Sequence, residues 1–295
     1  MKFKMDSIVV SANRIPTLTT NVGRNIGIIS NYDIEFLPSL DVQGLLDNRS
    51  GIDVKERGPE GVQADISIRG GSFEQTLILI DGIRLSDPQT GHHNMNLPIS
   101  ISQIERIEII KGQGSRIHGA NAFSGVINII PKNGDLNSLS IDASGGENSY
   151  FKLGIGGSYK LGNTSHNISF SRSRSDGYRS NTEFENYSVS MNNSYKLSNS
   201  VIKTIFGYTS KDFGANSYYT IRFPDQAEKT KTLLAAATAE LKLQDFTLFP
   251  KVYWRNNRDE FVLFKNNPSF YKNNHETDVY GGELQASTNV LGGAT

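Results

Sequence analysis

Cysteine is absent from the 295-residue sequence, which excludes both a disulfide framework and a thiolate metal site. An excess of charge is also missing, because 30 basic residues balance 30 acidic ones, whereas a nucleic-acid-binding surface needs a basic excess. No run of about 18 apolar residues occurs, so no transmembrane helix is predicted. A membrane-spanning sheet stays compatible with this composition, because each of its strands needs only a short alternating segment.

Residues 24 to about 132 contain short elements of mixed type, rich in Ile, Leu and Val. Asp81-Gly82, between "LILI" and "IRL", is typical of a tight hairpin turn, and Pro98 is predicted to open a helical turn through Ile104. The predicted strands are Ile26–Ile29, Ile52–Lys55, Ile66–Arg69, Thr76–Ile80, Arg106–Lys111 and Ser124–Ile130. These elements predict a small α+β domain.

One short helix is predicted near the start of this domain. Val42, Leu45 and Leu46 are spaced to share one face of a helix. Ser39 is a suitable N-cap because its hydroxyl can accept a hydrogen bond from a free backbone N–H group. Gly51 is predicted to end the helix.

After about Gly134 the pattern changes to long strands with a period of two. In "YFKLGIGGSYKL" and "YSVSMNNSYKL" one face is apolar and the other is polar for ten residues or more. Weaker segments of the same kind cover roughly 138–146, 165–175, 200–210, 230–243, 246–257 and 276–288, which predicts about eight strands. Soluble antiparallel sheets also alternate, but strands of about 5–6 residues are usual there, so this length favours membrane-spanning strands.

The connections between these strands also differ in length. "GENS", "LGNT" and "LSNS" are short, whereas 176–185, 211–228 and 258–274 are long. Short turns on one rim and long loops on the other are typical of outer-membrane barrels.

Four stretches resemble a known family. "DSIVVSA" resembles a TonB box, "ISIRGG" and "LILIDGIRL" resemble central plug strands, and "IERIEIIKGQGSRIHGANAFSGVINII" resembles the closing motif of the plug. The chain is therefore similar to a TonB-dependent outer-membrane receptor, and within that family most like cobalamin receptors. The resemblance implies a mixed fold: a small α+β plug domain followed by antiparallel transmembrane β-barrel strands.

The resemblance also implies the domain organisation and the partners. Residues 1–20 would hold the TonB box and a flexible segment, 21–134 the plug domain, and 135–295 a partial transmembrane β-barrel. The expected partners are the periplasmic TonB C-terminal domain, a small-molecule metal chelate (cobalamin or a ferric siderophore) and outer-membrane lipid of a Gram-negative bacterium. Neither enzyme activity nor a cofactor is implied. A lumen that holds a plug needs about 22 strands, so the chain is expected to be a fragment of a larger barrel.

The TonB box is predicted at the N-terminus. Its residues are Asp6, Ser7, Ile8, Val9, Val10, Ser11 and Ala12. Such a segment can bind a partner by adding a strand to the edge of its sheet. The alternative is an ordinary first strand of the plug.

Charged residues of the plug are predicted to have structural roles. They are Arg69, Arg84, Glu105, Arg106, Glu108 and Arg116. Arg69 follows the apolar residues Ile66 and Ile68, so its guanidinium group should need a partner or water, and Glu105 and Glu108 are the candidate partners.

The loop after the Asp81-Gly82 turn supplies the candidate ligand contacts. They are Gln89, His92, His93 and Asn94. Adjacent histidines in an extended loop point apart, which disfavours a shared metal ion and leaves ligand contact or solvent exposure as alternatives.

Other functional sites have little support in the sequence. "GQGSRIHG" does not match a phosphate-binding loop, and neither H-E-x-x-H nor G-x-S-x-G occurs. Acids of the long loops could bind calcium, although their spacing does not support a specific site: Asp212, Asp225, Glu228, Asp259 and Glu260. Two alternative functions stay open, namely a glycan or peptide uptake receptor of the same architecture and a soluble β-sandwich adhesin.

Overall fold

The computed structural model describes residues 25–37, 39, 41–134 and 137–288, together with the backbone of β1 (Val9–Val10) and β2 (Thr17–Leu18). The chain forms two units. The first holds the residues up to Met95 and Ile104–Pro131, and the second holds Asn96–Gln103 and the residues from Lys132 onward. The structure thus changes unit at Pro131, shortly before the predicted boundary at residue 134.

The first unit is built on a five-stranded mixed sheet. Its spatial order is β3 (Ile26–Ile29), β8 (Ile104–Lys111), β9 (Gly125–Pro131), β6 (Thr76–Ile80) and β7 (Ile83–Arg84). The pair β6–β9 is parallel and the other pairs are antiparallel. A separate ribbon consists of β4 (Ile52–Gly58) and β5 (Gln63–Ile68). All five residues of β6 are buried, which explains its unbroken apolar sequence.

The hairpin turn predicted at Asp81-Gly82 is confirmed. Ile80 pairs with Ile83 across it, and φ is +45° at Asp81 and +75° at Gly82, as a two-residue hairpin turn of this kind requires. The side-chain oxygen of Asn128 accepts a hydrogen bond from the Gly82 N–H group at 3.0 Å. This bond fixes the turn against β9.

The predicted helix exists, but its ends were placed wrongly. The helices are α1 (Asn31–Phe36), α2 (Val42–Asp47) and α3 (Ser115–His118). The N-cap of α2 is Asp41, whose carboxylate accepts a hydrogen bond from Gly44 N, while the Ser39 hydroxyl donates to the Asp41 carbonyl. The helix ends at Asp47, and Gly51 (φ +74°) belongs to the turn before β4. Two cap-forming side chains, Ser39 and Asp41, lie two residues apart here, so spacing alone did not identify the cap.

The second unit is one antiparallel sheet of eight strands in chain order. They are β10 (Ser138–Gly145), β11 (Phe151–Leu161), β12 (Thr164–Ser175), β13 (Phe184–Lys196), β14 (Ser200–Gly214), β15 (Ala227–Lys242), β16 (Phe246–Val262) and β17 (Lys272–Thr288). The strand count agrees with the prediction, and most strands are longer than predicted. The sheet is open, with β10 at one edge and β17 at the other among the described residues.

Burial across this sheet is the reverse of that in a soluble sheet. Along β12, Ile168 is 58% exposed, whereas the next residue, Ser169, is 2% exposed. The same alternation holds for Met191 and Ser190 on β13. Apolar residues on the outward face of other strands are also exposed: Leu139, Ile141, Ile155, Tyr159, Leu161, Phe206, Val252, Tyr280 and Leu284. An apolar face of this extent is stable only against an apolar medium or a partner.

The connections follow the predicted long and short rims, with one correction. The short connections 162–163, 197–199 and 243–245 alternate with the longer 176–183, 215–226 and 263–271. The "GENS" turn, between β10 and β11, was grouped with the short rim. Strand order places it on the long-loop rim, because successive connections of an antiparallel sheet alternate between rims.

The segment Asn96–Gln103, called the strap below, is tightly docked on the strand sheet. A Cβ atom built on Gly207 would lie 2.1 Å from the carbonyl oxygen of Pro98, and one on Gly156 would lie 2.8 Å from Gln103 Nε2. The Gln103 carbonyl also accepts a hydrogen bond from Lys132 N at 2.8 Å. The helical turn predicted after Pro98 is only the 3₁₀ turn Ile101–Gln103. Glycine is required at position 207 because the backbone of the strap occupies the space of a side chain there, whereas at Gly156 the close atom is the end of the Gln103 side chain.

Candidate functional site

The loop after the β6–β7 hairpin places the four candidate ligand residues in different environments. Gln89 is exposed, whereas His93 and Asn94 are buried. The side-chain oxygen of Asn94 accepts a hydrogen bond from Asp87 N at 3.0 Å. The loop is not extended at the histidines as predicted, because Gly91–His93 forms a 3₁₀ turn capped by the Thr90 hydroxyl.

His92 is held by the domain itself. Its Nδ1 lies 2.7 Å from Asp65 Oδ1 on β5, and its ring stacks on Phe73 with centroids 4.7 Å apart. Arg57 of β4 binds the other carboxylate oxygen of Asp65 at 2.7 Å. Asp65 and Arg57 therefore tie the loop, through His92, to the β4–β5 ribbon. Asp65, Arg57 and Phe73 were not singled out in the sequence, because contacts across such separations leave no local pattern.

Asp65 is buried, and its ionisation depends on its partners. Burial alone would raise the pKa of Asp65, but the hydrogen bonds with His92 and Arg57 outweigh burial and hold the pKa below its usual value. A pKa that is lower in the folded state stabilises that state at every pH above the unfolded value near 3.8. This contribution is lost as the pH falls through the lowered folded pKa.

We expect Asp65→Asn to loosen the loop at neutral pH. The substitution removes the charge that Arg57 and His92 bind, so the free energy of opening the loop should fall by about 1–3 kcal/mol. Hydrogen exchange at the amides of His92 and Asn94 measures this change. Asp53→Asn, at an exposed position of the same ribbon, is the control with little expected effect. The prediction fails if the two variants still differ once the pH is well below 3.8.

The predicted structural charges of the plug fall into two groups. Arg106 pairs with the buried Glu108 at 2.7 Å, and Arg84 donates hydrogen bonds to the backbone carbonyls of His118 and Ala120. Arg69, Glu105 and Arg116 are exposed, with Arg69 at φ +52°. Of the two alternatives for Arg69, a partner or water, the structure has water: the side chain is exposed in the turn after β5, and Glu108 pairs with Arg106 instead.

The predicted TonB box lies mostly outside the described residues. Asp6, Ser7, Ile8, Ser11 and Ala12 fall there, and for Val9 and Val10 only the backbone is described. Val9 pairs with Leu18, and Val10 pairs with Thr17.

On the outward face of the sheet, an apolar band gives way to a charged belt. Along β14, the outward positions from Ile202 to Tyr208 cover roughly 20 Å at about 3.3 Å per residue, which is close to the ~25 Å apolar band of membrane-spanning sheets. Ser210 and Asp212 follow on the same face. The belt continues across the neighbouring strands through the ion pairs Arg172–Glu185, Lys229–Asp212, Lys272–Glu260 and Arg258–Glu276.

A groove of about 600 Å³ lies at this belt, below the long loops. Lys229 faces Asp212 there at 2.8 Å, Lys272 faces Glu260 at 2.8 Å, and Lys265 faces Glu183. The charges of the groove thus largely neutralise one another, and the groove shows no preference for an anion or a cation.

The acids considered for calcium make different contacts, and only Asp225 lies in a loop, because the strands extend further than predicted and include the other four. Asp212 and Glu260 pair with lysines. Glu228 accepts a hydrogen bond from the Tyr219 hydroxyl, Asp259 Oδ2 lies 3.4 Å from His275 Nδ1, and Asp225 is exposed. Calcium binding therefore stays a prediction.

Comparison with known proteins identifies the first unit. The family model described as the TonB-dependent receptor plug domain matches residues 19–126. Among the described residues, no helix is long and apolar enough to cross a membrane.

Curated relatives with similar sequences are vitamin B12 transporters named BtuB. Two proteins from Vibrio vulnificus are 34% identical over 140 residues and 31% identical over 179 residues, which is 48% and 60% of this chain. The aligned regions span only 23% and 29% of the relatives' own lengths.

Solved structures with a similar fold are siderophore receptors. The receptor PiuA from Acinetobacter baumannii has a TM-score of 0.74 at 19% identity, covering 97% of this chain and 45% of that one. A variant of the ferric enterobactin receptor PfeA from Pseudomonas aeruginosa has a TM-score of 0.68 at 17% identity, covering 92% and 46%. At these identities the likeness shows the fold.

The fold class is a plug domain followed by the antiparallel strands of a partial barrel. Residues 19–126 belong to the family of TonB-dependent receptor plug domains, and the sequence of the chain is similar to those of vitamin B12 transporters. The family and the fold class predicted from the sequence are confirmed.

Proposed function

We propose that the chain is part of an outer-membrane receptor of a Gram-negative bacterium that binds a scarce metal chelate and imports it. Transport would be driven by a rearrangement of the plug domain, pulled through the N-terminal box by the periplasmic TonB C-terminal domain. No bond is made or broken in this function, which is transport and not catalysis.

The observation that carries this proposal is the exposed apolar face of a strand sheet that follows a plug domain in the chain. Many polar residues of the strands are buried on the inward face, while apolar residues such as Ile168, Phe206 and Leu284 are exposed on the outward face, so the outward face fits a lipid environment. A soluble β-sandwich adhesin would bury the opposite face. The same arrangement disfavours that alternative.

Cobalamin is the chelate we propose first. The sequence matches to vitamin B12 transporters have higher identity than the structural matches to siderophore receptors. Gln89, which is exposed on the loop after the hairpin, is the most accessible of the proposed ligand contacts. His92, His93 and Asn94 would help to shape that loop.

The experiment is ligand binding to outer membranes of cells that express the gene product and have no cobalamin receptor of their own. We expect saturable binding of radiolabelled cyanocobalamin that unlabelled cyanocobalamin displaces and ferric enterobactin does not. Displacement by ferric enterobactin would instead identify a siderophore receptor. Absence of saturable binding of either chelate, with the protein present in the membrane, would contradict the proposal and favour a glycan or peptide ligand.

A further inference from the structure

The three long connections of the strand sheet interlock instead of projecting separately. They are called here the first loop (176–183), the second loop (215–226) and the third loop (263–271). Backbone hydrogen bonds run between the first two, from Gly214 N at the end of β14 to the Glu183 carbonyl at 2.9 Å, and from Asn216 N to the Asn181 carbonyl at 3.1 Å. The Arg179 guanidinium also donates to the Asn216 carbonyl at 3.0 Å. The first and second loops therefore form one structure.

Asn181 lies at the centre of this junction. Its side-chain nitrogen donates two hydrogen bonds, to the carbonyl oxygens of Pro224 at 2.8 Å and Gln226 at 2.7 Å. Its φ is +57°, a conformation that asparagine tolerates better than most residues. A Cβ atom on Gly214 would lie 2.6 Å from the Asn181 backbone, so β14 also ends directly against this residue. The Asn181 side chain thus holds the far end of the second loop to the first loop, and these two hydrogen bonds are called the clamp below.

The third loop joins the other two through Lys265, and its Phe264 also packs edge-to-face on Phe223 of the second loop, with ring centroids 5.7 Å apart. Lys265 N donates a hydrogen bond to the Asp225 carbonyl at 2.8 Å, and the Lys265 ammonium group pairs with Glu183. Asp225 lies between the two residues whose carbonyls Asn181 binds. The position that Lys265 gives the third loop therefore depends on the clamp, because the clamp fixes the segment that contains Asp225.

Hydrogen bonds within the first loop also stabilise its own conformation, so the backbone that carries Asn181 is held in place. Arg179 N donates a hydrogen bond to the Thr182 hydroxyl, which donates in turn to the Arg179 carbonyl at 2.8 Å. Thr182 is only 2% exposed. Gly177, at φ +87°, lies so close to the Thr182 backbone that a Cβ atom would come within 2.6 Å.

We propose that Asn181 is a positioning residue that keeps the three long loops assembled before any ligand arrives, so that the receptor presents a preformed outer surface. This inference rests on the proposed function only where it concerns ligand capture. Ordering three flexible loops during binding would consume binding free energy, and loops that are already ordered avoid this loss. Loosening the clamp should thus weaken capture and leave later transport steps unchanged.

The first test needs no ligand. Hydrogen exchange is measured on the full gene product in outer membranes, for the wild type, Asn181→Gly and Asn181→Asp. Glycine removes the two side-chain bonds without straining a positive φ, and aspartate keeps the shape but has no N–H donor. We expect the amides of Asn216 and Lys265 to be protected in the wild type and to exchange at least about tenfold faster in both variants, which corresponds to about 1.4 kcal/mol.

Two controls make that result specific. The amide of Thr209, within β14, should keep its protection in every variant, because its bonds belong to the strand ladder. Asn266→Gly, at an exposed position of the third loop, should behave as the wild type. Unprotected loop amides in the wild type without ligand, or unchanged protection in Asn181→Gly, would overturn the inference.

The second test measures capture with cyanocobalamin as the probe. We expect Asn181→Gly to raise the half-saturating concentration for uptake about tenfold while the maximal rate stays at the wild-type level. A general folding defect would instead reduce the amount of receptor in the membrane, and the maximal rate of uptake would fall in proportion. That outcome would overturn the positioning role. If the wild type does not bind cyanocobalamin, the proposed ligand is wrong, and the exchange experiment still decides whether Asn181 assembles the loops.

Discussion

Phe206→Arg will destabilise the folded sheet in its membrane by about 2–4 kcal/mol. Phe206 is 44% exposed on the outward apolar band of β14, and its cross-strand neighbours are Met191 and Ala235. A guanidinium group at this height would have to leave water for the hydrocarbon layer, where no ion pair is near. Urea unfolding of the receptor reconstituted in lipid vesicles measures the difference in the free energy of unfolding.

Ser210→Arg is the matched control for this prediction. Ser210 lies on the same strand and face, four residues toward the long-loop rim, where Tyr187 and Lys231 are its cross-strand neighbours. At this height the side chain reaches the polar layer, so little change is expected. Equal stability of the two variants would mean that the outward face meets water, as in a soluble sandwich.

Val9→Pro will abolish uptake of the ligand without abolishing its binding. Proline has no backbone N–H group, so it removes a donor from a strand that is proposed to add to the sheet edge of the TonB C-terminal domain. The ligand contacts proposed above lie far along the chain from Val9, in the loop that follows the β6–β7 hairpin. Radiolabelled cyanocobalamin bound at the cell surface and accumulated inside the cell is measured separately for the same cells.

Val9→Ala keeps the N–H group at the same position and serves as the control, with uptake expected near the wild-type level. Equal loss of uptake in both variants would point to the side chain instead of the backbone. Normal uptake in Val9→Pro would return this segment to an ordinary first strand, paired with Leu18 as in the structure.

The parts of the fold that could be predicted from the sequence are those with a local pattern. Asp81-Gly82 specifies a hairpin because both residues accept a positive φ. Alternation along "YSVSMNNSYKL" distinguishes the outward Met191 from the inward Ser190, since the side chains of a strand alternate between faces. Strand length then favoured a membrane-spanning sheet over a soluble one, and in such a sheet the apolar face is expected to meet lipid.

The candidate sites depend on contacts between distant segments and were less predictable. His92 was predicted to contact ligand or solvent, but Asp65 on a separate ribbon holds its ring. The role of Asn181 has no signal in the sequence, because asparagine is common in polar loops and its two acceptors lie more than forty residues further along. Even the N-cap of α2 was misplaced by two residues, since Ser39 and Asp41 are both good caps.

The strap imposes an order on biosynthesis. Gly207, against which Pro98 packs, is synthesised more than a hundred residues after Pro98 itself. Until β14 forms, the surface on which Pro98 docks does not exist, and the strap, whose Leu97 and Ile99 are 9% and 6% exposed in the finished structure, cannot take its final position. A contact of such long range forms slowly. The newly made chain therefore carries an exposed apolar stretch through its export, and this stretch is where we expect a holding chaperone to bind.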